Sequence, residues 1–122
     1  MSCDIEYSDE FEQWWDGLTE PEQEDIAAVV GLLEKKGALL GFPHSSGVHG
    51  SKFGHMRELR VQHAGDPYRV LYAFDPRRSA ILLLGGCKAG DDRFYQSMVP
   101  AADRIYEAHL QQLVPTSHQN RK

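Results

Sequence analysis

MRELRV (56–61), YRVLYAFD (68–75) and SAILLLGG (79–86) are three strand-like runs in close succession. The separators QHAGDP and PRR hold the Gly, Asp and Pro that reverse a chain. The third run is apolar from Ala80 to Leu84, which predicts a strand buried on both faces and central in its sheet. The second alternates: Tyr68, Val70 and Tyr72 take one side, Arg69, Leu71 and Ala73 the other. An arginine planted in such a strand projects from a rigid platform, and function is expected there.

Outward from this meander the pattern turns helical. Ile5 to Tyr7 forms a short strand candidate, and Ser8 is an N-cap ahead of Asp9 and Glu10. Phe11, Trp14, Trp15 and Leu18 recur at helical spacing, predicting a helix over 9–17 with the tryptophans in the core. Thr19 and Glu22 make a capping box with Pro21 in the first turn, and Ile26, Val29, Val30 and Leu33 give the second helix one apolar face. Gly37 stops it. The two helices form a hairpin that must lay its apolar side on the sheet. Residues 37–55 carry no hydrophobic period and read as a long loop. Pro100 is expected in the first turn of a last helix striped by Ala102, Ile105, Tyr106, His109 and Leu113. A single domain over 1–114 follows, with the polar tail 115–122 expected to be disordered.

Charge is divided along the chain. The net charge is -5, yet residues 1–25 hold ten carboxylates and no Lys or Arg, so the remainder carries +5. A basic platform behind an acidic leading segment suggests an anionic partner for one face. No run is long and apolar enough to span a bilayer, and the N-terminus lacks an export signature, so a cytoplasmic location with no membrane contact is expected. Cys3 and Cys87 are far apart and read as free thiols. His44, His49 and His55 fit no zinc spacing, and Asp91 with Asp92 lack a third carboxylate for magnesium; neither a metal nor a cofactor is expected. After the third run, Gly85, Gly86 and Gly90 allow sharp turns without forming a P-loop, and Lys88, Arg93 and Tyr95 cluster within eight residues.

These stretches, with CKAGDDRFY, VPAADRIYEAHL, FEQWWDGL and EDIAAVVGLLEKKG, resemble the RelE/ParE superfamily of bacterial toxins, in its phage-derived HigB-type branch. The resemblance implies an α+β, RelE-like microbial RNase toxin fold: an antiparallel meander packed by an N-terminal helical hairpin and a C-terminal helix. It implies a type II toxin, neutralised by a helix-turn-helix antitoxin, that cuts mRNA on the ribosome. Carried over residue by residue, the active face comprises Arg60, Arg69, Lys88 at the strand exit, and Tyr95 beyond it. Where RelE-like members place lysines on the first meander strand, this chain has Met56, Arg57 and Glu58, and Cys87 stands where members often have Asp.

Metal-free RNA cleavage needs a base for the 2′-OH, cations for the phosphorane and an acid for the 5′-oxygen. Arg60 and Arg69, with Lys88, are the expected cations; Tyr95 and His55 are the expected proton-transfer groups. Lys52, Arg57 and Arg93 are expected to hold flanking RNA phosphates, and Phe94 to stack on a base or pack in the core. Glu58, Asp66, Asp75, Asp91 and Asp92 interleave with these cations and offer the plain alternative of surface ion pairs. Two other functions compete: a ParE-like gyrase poison that cuts no RNA, and an inactive toxin fold kept for its interactions.

Overall fold

The computed structural model describes residues 2–114. In chain order the elements are β1 (Ile5–Tyr7), α1 (Asp9–Asp16), α2 (Glu20–Lys36), a 3-10 turn (Gly37–Leu39), β2 (Ser45–Gly47), β3 (Arg57–His63), β4 (Asp66–Phe74), β5 (Ala80–Cys87) and α3 (Phe94–Leu113). One sheet holds all five strands in the order β1-β5-β4-β3-β2. The meander β3–β4–β5 is antiparallel as expected, and β1 adds to β5 in parallel, which makes the sheet mixed. β5 is interior, although β4 is the middle strand. No helix among the described residues is long and apolar enough to cross a membrane.

Both faces of the sheet are covered. On one, Leu59, Val61, Tyr68, Val70, Tyr72 and Leu82 pack beneath Phe11, Ile26, Val29 and Leu33 of the hairpin. On the other, Met56, Leu71, Ala73, Ile81 and Leu83 meet Val99, Ala102 and Tyr106 of α3. Two-sided burial is why β4 and β5 are apolar nearly throughout. The acidic hairpin and α3 therefore lie on opposite faces.

The predicted caps form. Ser8 Oγ accepts from the Phe11 amide at 2.9 Å and donates to the Leu83 carbonyl at 2.7 Å, tying α1 to β5. Thr19 and Glu22 complete their capping box. Three expectations need correction. Residues 37–55 are not structureless: β2 pairs with β3, secured by the buried Ser45 hydroxyl, which is 2.6 Å from the Tyr72 hydroxyl. α3 starts at Phe94, so Pro100 sits inside it and not in its first turn. The early start is anchored by Phe94 and Met98 packing against Gly86, an apolar contact that outweighs the missing proline N–H. Asp75 is no surface ion pair, because its side chain is fully buried. The tail 115–122 lies outside the described residues.

One irregularity positions the functional face. Leu71 pairs with Leu84 but Tyr72 pairs with Leu82, leaving Leu83 as an extra residue in β5. Such a bulge reverses the alternation beyond it. Leu83 and Leu84 thus both reach the α3 side, Gly85 turns to Trp14 of α1, and Lys88 emerges over Tyr95 on the α3 side. A methyl group on Gly85 would fall within the Trp14 ring. Gly85→Ala is expected to lower the unfolding free energy by about 1–3 kcal/mol, read from urea denaturation.

At the β4–β5 turn the Asp75 carboxylate accepts from His109 Nε2 at 2.8 Å, from Arg77 Nη2 at 2.7 Å and from the amides of Arg77 and Ser79. Burial would raise its pKa, but the bonds from His109, Arg77 and Ser79 prevail and hold it below the ordinary carboxylate value. The stability this confers is complete above the unfolded pKa of about 3.9 and is lost as pH falls through the lower folded value. Asp75→Asn is expected to cost about 1–3 kcal/mol at pH 7. Its deficit relative to wild type should shrink as denaturation is repeated at pH 4, 3 and 2.

Candidate active site

Arg60 and Arg69 are cross-strand partners in the β3–β4 ladder. Directly opposed residues share a face, and theirs is the α3 face, with Leu71 and Ala73. The two strands thus present paired cations, as the alternation predicts. Beside them lies a carboxylate that the sequence offered as one half of a surface ion pair. Glu58, two residues before Arg60 on the same face, is only 4% exposed. Its Oε1 accepts from the Tyr95 hydroxyl at 2.6 Å, and its Oε2 from Ser46 Oγ at 3.0 Å and Arg60 Nη1 at 3.4 Å.

Arg69 is not a free cation projecting into solvent. It is 5% exposed, donates Nη1 to the Tyr68 carbonyl at 3.0 Å, and brings Nε to 3.7 Å from Glu58. That separation attracts electrostatically but is too long for a hydrogen bond. Its Nε is buried and, among the described residues, has no hydrogen-bond partner. The reason is the register: Arg69 is opposite Arg60 on one side and Gly86 on the other, and Phe94 and Met98 of α3 pack against Gly86, so the arginine lies beside the start of that helix. A buried guanidinium nitrogen without a hydrogen-bond acceptor costs free energy, offset here by its attraction to the Glu58 carboxylate.

Tyr95 is half-buried beside this pair. Burial first, then its bond to Glu58, push the phenol above its ordinary pKa, with Arg69 pulling more weakly the other way. The hydroxyl therefore stays protonated and donates to the carboxylate. Lys88 Nζ stands 5.3 Å from the Tyr95 ring centroid. At the far side, Arg60 lies against the exposed ring of Phe42, 5.1 Å from its centroid.

The remaining sequence candidates are elsewhere. His55 bonds the Tyr106 hydroxyl at 3.0 Å and packs edge-on to Phe53 and Tyr106. Tyr106 is eleven residues along α3 from Tyr95, about 16 Å at the helical rise, so His55 is not part of the cluster. Its nearness in sequence to β3 misleads, because the strand leaves the cluster before reaching it. Lys52 is paired with Glu107 at 2.8 Å, beside Asp103. Arg57 falls on the hairpin face, donating Nε to Ser45 at 3.0 Å. Phe94 is 3% exposed against Gly86 and Tyr95, a core residue and not a stacking platform. Arg93 is exposed at the head of α3. Glu58, Ser46 and Phe42 are what sequence reasoning missed. Glu58 had a signal: the i, i+2 spacing of Glu58 and Arg60 puts both on one side of a strand. Ser46 and Phe42 had none. Among the described residues no three His, Cys, Asp or Glu side chains gather as a metal set.

A carboxylate among two guanidiniums, a protonated phenol and a lysine suits attack on a phosphodiester. The carboxylate can take a proton, the cations can hold developing negative charge, and the phenol can give a proton.

Comparison with known proteins completes the picture. The family model of phage-derived Gp49-like proteins (DUF891) matches residues 13–107. A Mycobacterium tuberculosis (strain ATCC 25618 / H37Rv) protein named as toxin HigB3 is 43% identical over 100 residues, covering 81% of this chain and 86% of that protein. A second from the same organism, named as toxin HigB2, is 39% identical over 111 residues, 89% of this chain and 55% of that protein. In structure, a mutant of the Escherichia coli toxin RelE in its free state superposes with a TM-score of 0.57 at 9% identity, covering 93% of this chain and all of that one. A chain of the archaeal RelE–RelB complex from Pyrococcus horikoshii gives 0.54 at 15% identity, covering 74% and 99%. At such identities the structural likeness speaks to the fold alone.

Proposed function

We propose, from the premise that this chain belongs to the Gp49-like family of HigB- and RelE-type toxins, that it is a ribosome-dependent mRNA endonuclease and that Glu58 is its general base. The observation carrying this reading is the placement of Glu58 within reach of Arg60, Arg69 and Tyr95 on one face of the sheet. Glu58 takes the proton of the ribose 2′-OH, and the 2′-oxygen attacks the adjacent phosphorus. Arg69, Arg60 and Lys88 stabilise the charge that gathers on the phosphorane; one well-aimed donor contributes about 10²–10³ in rate. Tyr95 passes its proton to the departing 5′-oxygen and recovers one from Glu58 across their 2.6 Å bond. No phenolate forms in this relay, as a raised phenol pKa requires. The acidic hairpin, on the opposite face, does not oppose the RNA.

The domain over 1–114 works in the cytoplasm and is silenced by a helix-turn-helix antitoxin. A groove of about 450 Å³ between α1, α2 and β1, floored by Phe11, Trp15, Val30 and Leu82, is edged by Glu12, Asp16 and Glu34, and no Lys or Arg among the described residues lines it. It suits an apolar antitoxin segment flanked by basic residues. Gly31 faces open space there, so Gly31→Lys is expected to preserve folding yet weaken antitoxin binding about tenfold or more by calorimetry, while Gly31→Ala binds normally.

The reading is tested by translation in vitro with purified protein and primer extension on the message. Discrete cuts that require ribosomes are expected. An intact message with inhibited gyrase supercoiling would replace it with the ParE-like alternative.

A further inference from the structure

Phe42 is 75% exposed and belongs to neither core cluster. It stands in a Gly-Phe-Pro loop beside the edge strand β2, with the Arg60 guanidinium on one side of its ring at 5.1 Å. Arg60 in turn reaches Glu58, Glu58 is bonded to Tyr95, and Lys88 lies over the Tyr95 ring. Across the sheet the side chains therefore run aromatic, cation, carboxylate, aromatic, cation. The carboxylate at the centre is buried, while the ring at the end is bare. A large apolar ring that is three-quarters exposed, with a cation against it, contributes little to folding.

We infer that Phe42, steadied by Arg60, is a stacking subsite for a nucleobase of single-stranded RNA, next to the phosphate that Glu58 and the two arginines address. This rests on the nuclease reading for its choice of ligand and extends it by one nucleotide. An aromatic face beside cations is the combination that binds unpaired nucleic acid, with the ring taking the base and the cations the backbone. Stacking accepts every base, so the subsite adds affinity and registers the strand without fixing a sequence. Apolar contact alone would be satisfied by any greasy side chain; stacking needs a ring.

The test uses fluorescence anisotropy with labelled 2′-O-methyl RNA hexamers, which bind but are not cut because the attacking oxygen is blocked. Wild type is expected to bind, and Phe42→Ala and Phe42→Leu to bind about tenfold or more weakly. Phe42→Trp should bind at least as well as wild type, and all four proteins should melt alike. Equal binding by the Leu variant and wild type, or no hexamer binding by wild type, overturns the subsite. So does unchanged RNA binding by Phe42→Ala accompanied by lost antitoxin neutralisation, which would make the ring part of the protein interface. Glu58→Gln separates the two inferences. If it cuts ribosome-bound message as wild type does while Phe42→Ala still loses hexamers, the role given to Glu58 fails and the subsite stands; if wild type itself leaves ribosome-bound message intact while Phe42→Ala loses hexamers, the nuclease reading fails and the subsite stands.

Discussion

Glu58→Gln is expected to remove message cleavage by a factor of about 10²–10⁴, the usual contribution of a positioned general base, while the protein remains folded. Glutamine keeps the shape of the side chain and one oxygen to accept from Tyr95 at the position now 2.6 Å away. It cannot take a proton from the 2′-OH. It also removes the negative charge between Arg60 and Arg69, so some loss of stability is expected, about 1–3 kcal/mol as for a charged group left partly unpaired. Circular dichroism melting separates the two effects. A folded, inactive variant supports the assignment; a folded variant that cuts at the wild-type rate removes Glu58 from the chemistry.

Arg69→Ala is expected to abolish growth arrest on expression and to cut message about 10²–10³ more slowly. The residue is 5% exposed, and its Nε is buried with no hydrogen-bond acceptor among the described residues. Its guanidinium stands beside the Glu58 carboxylate, where its charge both offsets that carboxylate and adds to the positive potential offered to a phosphate. In the variant, Glu58 still accepts from Tyr95, Ser46 and Arg60, so the sheet should hold, with a lower melting temperature from the space left behind. Arg69→Lys restores the charge without the planar fork and should recover only part of the activity. Growth arrest by Arg69→Ala equal to wild type would show that its burial serves structure alone.

The two variants depend on different amounts of sequence information. The meander was readable because alternation and turn residues agree over β3, β4 and β5, and the hairpin because Ser8 and Thr19 cap where hydrophobic spacing begins. β2 was not readable: Ser45–Gly47 has no apolar rhythm and is held by one buried hydroxyl contact and by its partner strand. Pro100 misled because proline is a first-turn residue by preference, whereas the packing of Phe94 at Gly86 sets where α3 begins. For the site, Arg60, Arg69, Lys88 and Tyr95 followed from residue type and family resemblance. Bringing Lys88 to Tyr95 took a bulge at Leu83, which no local propensity announces. Pairing of Glu58 with the neighbouring cations was open to sequence reading, but its burial was not, because charge along a chain does not report depth. His55 illustrates the converse, since closeness in sequence put it with a cluster that β3 carries away from it.

The chemistry of the cut ends is the most direct trial of the proposed mechanism. If Glu58 drives the 2′-oxygen onto phosphorus, the upstream fragment ends in a 2′,3′-cyclic phosphate or its 3′-phosphate product, and the downstream fragment begins with a 5′-hydroxyl. A message with 2′-deoxyribose at the scissile position should then resist cleavage. Downstream fragments bearing a 5′-phosphate, or equal cutting of the deoxy-substituted message, would contradict attack by the 2′-oxygen and with it the role given to Glu58.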